Sequence, residues 1–248
     1  KCGYQAEDLR AVLEAERDLM GSSAQRRGVE AVQQLNETMA TNSLEKLQEA
    51  LTLLPLERRE AYDHAVRTAP HLVELESPAK RFVCACAYNY WQAAERLVDY
   101  WQLRREIYGP DHFCLPLRAF GDGPRALSEN AVACVKSGKF FVATRPDRFG
   151  RSVLVVDRDR QPADESSGLQ FLFYFFQLLS EFDCTIANGC IVSISEVTDQ
   201  RPQARTKPAP SFVDFAEKAP MGFKLCAIHL MALRNAPMIQ ILINVYAV

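Results

Sequence analysis

The spacing of apolar and polar residues divides the chain into a helical first part and a second part in which strands alternate with helices. Up to about residue 110, apolar side chains recur with the period of a helix, as they do over residues 6–20 and 43–54. Asn42 or Ser43 is suited to cap the second of these helices, and Pro55 begins the next one. The first part is therefore predicted to be all-helical.

One predicted helix, over residues 90–109, carries both tryptophans of the chain. At about 3.6 residues per turn, its large apolar residues fall on one stripe and most of its polar residues on the opposite side. Gly109 followed by Pro110 ends the helix. We predict a helix that packs against a partner surface through this stripe, which consists of Tyr90, Ala94, Leu97, Trp101 and Tyr108.

Beyond residue 110 the apolar runs become short and nearly continuous, which is typical of strands covered on both faces. Residues 139–144 and 151–159 predict two strands joined by a tight connection, and residues 189–197 and 224–231 predict two more. Helical patterns lie between and after them, at residues 128–138, 168–182, 211–219 and 235–248. This alternation predicts an α/β fold in which a helical N-terminal domain precedes a mixed, largely parallel sheet with flanking helices.

The helix at residues 169–182 is apolar on nearly all sides, with five phenylalanines and a tyrosine among its residues. Such a helix is either buried all round in a core or lines an apolar cavity or a membrane-facing surface. The apolar segment at residues 235–248 presents the same two alternatives.

Composition and charge exclude some classes of protein. A net charge of −2 gives no general attraction to nucleic acid, and the basic residues around Arg145, Arg148 and Arg151 alternate with Asp, which indicates a solvated loop. The eight cysteines lack the spacing of a zinc site and favour a reducing compartment. The chain shows neither a signal peptide nor an apolar run of the about 18 residues that a membrane span needs.

No set of residues composes an active site. The segment from Gly121 to Ala126 fits the loose dinucleotide-binding pattern, but a weak strand precedes it and Pro124 interrupts it, so a structural turn is favoured. His229 stands between Ile228 and Leu230 in a predicted strand and is interpreted as a core histidine. We predict a protein without enzymatic activity, cofactor or metal site.

The order of motifs along the chain resembles the CRAL-TRIO lipid-binding family with its helical N-terminal domain. The Trp-rich segment is similar to a helix of that domain, and the later segments are similar to the linker, the strand entry, the central strand and the Pro…Lys-Ala-Ile-His…Asn-Ala-Pro segment of the lipid-binding domain. In this chain the similar segments are residues 82–109, 115–128, 147–160, 188–197 and 218–239.

This resemblance implies three parts: a helical extension at 1–54, the family's helical N-terminal domain at 55–118, and a lipid-binding domain at 119–248 that stops before its last strand. It implies binding and transfer of a phospholipid or isoprenoid in an apolar pocket that is floored by the sheet and closed by a gate helix. Alternation along the strands and the apolar helix faces assign the pocket lining to Phe173, Phe176, Cys190, Val192, Ile228, Met238 and Leu242. A shift of the strand register by one residue would turn Ile191 and Ile194 inward instead.

The resemblance also implies a cytoplasmic protein, peripheral at membranes, with a hydrophobic small molecule or phospholipid and a transient membrane surface as partners, and no nucleic acid. The phosphoinositide-binding members of the family have a Glu where this chain has Met221, and the central strand usually has an Asp where this chain has Ser193. An inositol headgroup is therefore not implied. Phe176→Asp is expected to abolish lipid uptake more than it lowers stability.

Two other functions stay open. A nicotinamide-dependent α/β enzyme would retain its cofactor at the Gly121 loop. A protein-interaction module without a pocket would retain neither cofactor nor lipid.

Overall fold

A computed structural model describes residues 37–157, 168–196, 215 and 219–232. Within these ranges the chain forms helices α1 to α8 and strands β1 to β4. The helices are α1 (Glu37–Leu53), α2 (Leu56–Thr68), α3 (Pro70–Glu76), α4 (Ala79–Ala85), α5 (Tyr90–Tyr108), α6 (Glu129–Lys136), α7 (Gly168–Ser180) and α8 (Asp183–Asn188), and the strands are β1 (Phe140–Val142), β2 (Ser152–Asp157), β3 (Cys190–Glu196) and β4 (Leu225–Ala232). The predicted helices at 6–20 and 235–248, and nearly all of the one at 211–219, lie outside the described residues.

The first helices form as the sequence predicts, except for the start of α1. Helix α2 begins directly after Pro55, whose fixed φ suits a helix entry. Helix α1 begins at Glu37, so the prediction that Asn42 or Ser43 caps it is wrong. The Ser43 hydroxyl lies inside the helix and donates to the backbone oxygen of Tyr88 at 3.2 Å, which ties α1 to the chain between α4 and α5.

Helix α5 matches its predicted limits. The Asn89 side chain caps it by accepting a hydrogen bond from Gln92 N at 3.1 Å, and Gly109 ends it with a φ of 79°. The predicted stripe is buried except for Tyr90, which is 38% exposed at the first turn, where the ammonium of Lys46 lies over its ring. The rest of the stripe packs into the core, as the apolar period predicts.

The four strands form one mixed sheet in the order β1-β2-β3-β4. Strands β1 and β2 pair antiparallel across a tight connection, and β2, β3 and β4 are parallel to one another. The α/β fold with helices first and a largely parallel sheet second is therefore confirmed. Helix α8 was not predicted, because its six residues are too few to show a period.

The two faces of the sheet differ in their surroundings. The inner face contacts α7 and α8: the ring of Phe140 lies 4.9 Å from that of Phe171, and Thr185 donates to the hydroxyl of Ser152. Leu154, Val156, Cys190, Val192 and Ile194 are buried on this face. The outer face carries half-buried Val153 and Val155 and exposed Phe141.

His229 also lies on the outer face, opposite Ser193, and is exposed. The prediction of a core histidine is wrong, because alternation along β4 turns position 229 away from the packed face.

One continuous core connects the helical part to the sheet. It includes buried residues of α1, such as Leu47, together with residues of α5, α7 and β3. The cluster therefore crosses both predicted boundaries, after residues 54 and 118. Helix α7 is buried from Phe171 to Ser180, so within the described residues it is a core helix.

Candidate functional site

Two of the predicted ligand-binding residues, Phe173 and Phe176, are buried against other aromatic rings. The ring of Phe173 lies 5.2 Å from that of Tyr100 and 5.7 Å from that of Tyr108, so it joins α7 to α5. The ring of Phe176 stacks on that of Phe223 at 5.6 Å, just before β4. Both side chains therefore stabilise the junction of the helices with the sheet.

The predicted strand residues are divided between the core and the edge of the sheet. Cys190 and Val192 are fully buried on the inner face, and burial raises the pKa of the Cys190 thiol to about 12, so the thiol stays protonated. Ile228 is half-buried on β4. Met238 and Leu242 lie outside the described residues.

The two residues that the alternative register would turn inward also lie on different faces of the sheet. Ile191 lies on the outer face, whereas Ile194 lies on the inner face with Val192.

Ile228 lines an open cleft of about 570 Å³ at the β4 edge of the sheet. One wall is formed by the end of α4 and the first turns of α5, and the other by the segment that leads into β4. Its apolar lining includes Ala85, Cys86, Ala219, Phe223, Leu225, Ala227 and Ile228. Because Phe176 stacks behind Phe223, the structure brings two of the predicted residues, Phe176 and Ile228, to this one place.

The polar groups of the cleft are cationic or neutral. Arg96 projects from α5, Lys224 precedes β4, and Gln92 lies one turn before Arg96; the described residues that line the cleft include no carboxylate. The Lys224 backbone is fixed because its oxygen accepts a hydrogen bond from Cys190 N at 2.9 Å, while its side chain is exposed. A lining that combines apolar side chains with two cations fits an amphiphile with an anionic headgroup.

The cleft also contains thiols. Burial raises the pKa of Cys86, and the nearby Arg96 only partly opposes this, so that the thiol remains protonated. A protonated, buried thiol acts as a small apolar group and not as a nucleophile.

The rim of the cleft has an unusual backbone. Ala87 and Tyr88 follow α4 with φ values of 49° and 65°, the left-handed region that favours glycine. Their amides donate to Cys84 O and Val83 O and so complete the last turn of α4. This conformation reverses the chain over a few residues and thereby places α4 and α5 side by side at the cleft.

A second open cleft, of about 640 Å³, lies between α1 and α2. It contains both signs of charge, with Arg59 and Arg67 beside Glu60 and Asp63, and none of the predicted ligand-binding residues. We therefore take the cleft at β4 as the candidate site.

A buried polar junction, made of Glu76, Tyr100, Arg104 and Gln177, lies deeper in the same part of the fold. The Arg104 guanidinium donates to the Glu76 carboxylate and to the backbone oxygens of Phe113 and Leu115, both at 2.7 Å. The Tyr100 hydroxyl donates to Gln177 Oε1 at 2.9 Å, and Gln177 Nε2 donates to the Glu76 backbone oxygen at 2.6 Å. These bonds join α3, α5, α7 and the loop after α5.

The charges of this junction are fully desolvated. Burial raises the pKa of Glu76, and the ion pair with Arg104 together with the hydrogen bond from Leu117 N opposes that rise. Burial alone would lower the pKa of Arg104, but the Glu76 carboxylate raises it. Sequence reasoning missed the junction, although Arg104 lies three residues after Trp101 and four before Tyr108, on the buried stripe of α5.

The Gly121 loop does not have the geometry of a dinucleotide site. Residues 115–128 form an irregular connection between α5 and α6, and the first described strand, β1, comes only after α6. A Cβ on Gly121 would lie 2.4 Å from the guanidinium of Arg118, so this glycine is required by a close approach within the loop. The strand-turn-helix unit that binds a pyrophosphate is not formed here.

Two further observations concern the described residues alone. Their His, Cys, Asp and Glu side chains form no cluster of three that could hold a metal ion. No helix among them combines the length and the apolar character that crossing a membrane requires.

No protein-family model matches the chain, and no curated protein matches it.

Proposed function

We propose that this protein binds a hydrophobic ligand with an anionic headgroup, such as an acidic phospholipid, at the cleft beside β4. The observation that carries the proposal is the composition of that cleft: apolar lining residues that include Phe223, Leu225 and Ile228, together with the cations of Arg96 and Lys224 and without a described carboxylate. Burying acyl surface contributes about 25 cal/mol per Å² before entropic costs. The two cations attract the headgroup.

The order of motifs that resembles the CRAL-TRIO family supports the same class of ligand, and we propose that the chain is related to that family. A carrier of this kind takes a lipid from one membrane and delivers it to another, so it contacts membranes transiently. Neither the binding nor the transfer requires chemistry by the protein. We accordingly propose no catalytic residue and no cofactor.

The test uses the 248-residue chain and fluorescent lipids of two kinds, an acidic phospholipid and a neutral isoprenoid. Arg96→Gln combined with Lys224→Gln is expected to weaken uptake of the acidic lipid about tenfold, because the charge contacts of half-buried Arg96 and exposed Lys224 are lost. Uptake of the neutral isoprenoid is expected to change little. Ile228→Asn is expected to weaken uptake of both lipids, because it places a polar amide in the apolar lining.

The matched control is Arg67→Gln, which removes one exposed positive charge from α2. It is expected to leave the uptake of both lipids unchanged. If wild-type protein takes up neither lipid, or if the cleft variants take up both as wild type does, the proposal is wrong. Native mass spectrometry of gently purified protein separates the alternatives, since a retained nicotinamide cofactor indicates an enzyme and an empty chain indicates an interaction module.

A further inference from the structure

The connection between β1 and β2 presents an exposed aromatic ring among arginines. Phe149 is 59% exposed, and Arg145 and Arg148 in the same connection are exposed as well. A large apolar side chain at such a position adds nothing to the core, because most of its surface remains in water. Most of the ring therefore remains available to a partner outside the fold.

The turn holds Phe149 in a fixed position. Asp147 Oδ1 accepts hydrogen bonds from the backbone amides of Phe149 and Arg151, both at 2.9 Å, and Asp147 Oδ2 accepts two from the Arg151 guanidinium. Gly150 has a φ of 74°, and its backbone oxygen accepts a hydrogen bond from the Asn188 side chain at 3.2 Å. The tip is thus ordered before any partner arrives, which lowers the entropic cost of binding.

Cationic groups are held against the same ring. The guanidiniums of Arg148 and Arg151 lie 4.7 Å and 4.9 Å from the centre of the Phe149 ring, within the range of cation–π contact. Arg151 also pairs with Asp147, whereas neither Arg145 nor Arg148 forms an ion pair with a described residue. The tip therefore combines an apolar ring with the positive charges of Arg145 and Arg148, with which no carboxylate of the described residues forms an ion pair.

The geometry points to the surface of an anionic lipid bilayer as the partner of this tip, which consists of Arg145, Asp147, Arg148, Phe149 and Arg151. In that arrangement the ring of Phe149 enters the boundary between headgroups and acyl chains, and Arg145 and Arg148 contact lipid phosphates. Arginine stems lie along apolar surface while their charged ends stay hydrated, so ring and guanidiniums are accommodated together.

Area and charge favour a membrane over a macromolecular partner. A stable protein interface needs about 800 Å² from each partner, which a single tight turn does not offer. A bilayer is extended and fluid, so a protruding tip reaches it without a complementary shape. A nucleic acid is disfavoured by the net charge of −2 of the whole chain. The tip lies outside the lining of the cleft at β4, so this inference does not rest on the proposed ligand.

The experiment is vesicle flotation of the 248-residue chain with neutral phosphatidylcholine vesicles and with vesicles containing about one third phosphatidylserine. Wild type is expected to float with the anionic vesicles only, and less at high salt. Phe149→Ala is expected to weaken binding to them about tenfold, and Arg148→Gln about fivefold.

The controls are Leu56→Ala and Arg67→Gln, which remove an exposed apolar side chain and an exposed arginine from α2. They are expected to leave flotation unchanged, and equal thermal midpoints in all variants show that each one folds.

Three results would overturn the inference. The first is no flotation of wild type with anionic vesicles. The second is equal flotation of wild type and both tip variants. The third is an acidic peptide or RNA that binds in a Phe149-dependent way while the vesicles do not. Failure of lipid uptake at the cleft with intact Phe149-dependent flotation would leave this inference standing and reject the proposed function alone.

Discussion

Two arginines of the same helix, Arg104 and Arg96, show how differently a fold uses the same side chain. Arg104 is fully buried, and its guanidinium donates to Glu76 and to two backbone oxygens. Arg96 is half-buried and faces the cleft at β4, where the described lining residues include no carboxylate. The first arginine is fully engaged within the chain, and the second remains open to an external anion.

This difference separates stability from function within one helix. A buried charge whose partner is removed costs several kcal/mol, so the junction around Arg104 tolerates little change. A half-exposed charge contributes about 1 kcal/mol or less to stability, so the position of Arg96 is free to serve binding. Substitutions in the two regions are expected to affect different measurements, namely the free energy of unfolding at the junction and ligand affinity at the cleft.

The largest effect is expected at the buried junction. Arg104→Met leaves the Glu76 carboxylate and two backbone oxygens without their donor, so the free energy of unfolding should fall by about 3–5 kcal/mol. Urea denaturation measures it. Arg58→Met, which breaks a half-exposed ion pair with Glu95 and Asp99, is the matched control and should cost about 1 kcal/mol or less.

The double variant Glu76→Leu with Arg104→Met sharpens this test. Because the two charges neutralise each other, the double variant should lose less free energy of unfolding than the two single variants lose together, by about 0.5–3 kcal/mol. Additive losses would show that Glu76 and Arg104 act independently, contrary to their contact in the structure.

A somewhat smaller effect is expected at Phe176, which lies between the two regions. Its ring is buried and contacts those of Phe215 and Phe223. Phe176→Ala should lower the free energy of unfolding by about 3 kcal/mol, the low end for such a change, because Phe223 borders the open cleft and can move into the space.

The burial of Phe176 also changes the expectation for Phe176→Asp. That substitution places a carboxylate among aromatic rings, so we expect it to unfold the protein rather than to act mainly on lipid uptake. Circular dichroism of the purified variant distinguishes the two outcomes. A folded Phe176→Asp protein that has lost only lipid uptake would mean that Phe176 contacts the ligand.

The local structure of this protein was predicted better than the contacts between distant residues. The limits of α5 and its stop at Gly109 follow from short-range signals, so α5 begins and ends where predicted, whereas the cap at Asn89 was found only in the structure. The strands and their largely parallel pairing also follow, because the alternation of strands with helices leaves few topologies. Helix α1 departs from its predicted start because an N-cap residue also fits inside a helix when its hydroxyl finds another acceptor.

The candidate site could not be predicted from the sequence, because its residues come together only in the three-dimensional structure. Arg104 lies on the stripe of α5 but was not predicted to be buried, because the carboxylate that neutralises it comes from Glu76, 28 positions earlier in the chain. The cleft likewise combines residues that are far apart in sequence, from Ala85 to Ile228. Alternation along β3 and β4 predicted which residues share a face, but it could not show that Cys190 and Val192 face α7 while Ile191 faces outward.

The two regions should also differ in how the free energy of unfolding depends on pH. Tyr108 is the residue whose ionisation reports this difference. Burial raises the pKa of Tyr108, and the positive charge of Arg104 only partly opposes this. Above about pH 10 the unfolded chain releases the tyrosine proton while the folded protein retains it. The free energy of unfolding should therefore fall with rising pH, by about 1.4 kcal/mol per pH unit for each such tyrosine.

Tyr108→Phe removes this contribution. At pH 7 it should cost about 1 kcal/mol, because the hydroxyl no longer donates to Gln170 O. Between pH 10 and about pH 11 the variant's stability should fall less steeply than that of wild type. Urea denaturation at several pH values gives both slopes, and parallel curves would show that Tyr108 ionises normally in the folded protein.

The smallest effect concerns the rim of the cleft, at Ala87. Its φ of 49° strains any residue with a Cβ, and its side chain is exposed, so nothing is lost by removing the methyl group. Ala87→Gly should raise the free energy of unfolding by about 0.5 kcal/mol, since relief of left-handed strain exceeds the greater freedom of glycine in the unfolded chain.

The control for Ala87→Gly is Ala133→Gly, at an exposed position inside α6, where glycine should cost about 1 kcal/mol. Equal losses at the two positions would mean that Ala87 is not strained. The same variant tests whether the strained rim serves the cleft, because strained backbone is retained where the surrounding structure requires it. If Ala87→Gly stabilises the protein and also weakens uptake of the acidic lipid, the chain reversal at Ala87 positions α4 and α5 for binding; if uptake is unchanged, the reversal serves only to connect the two helices.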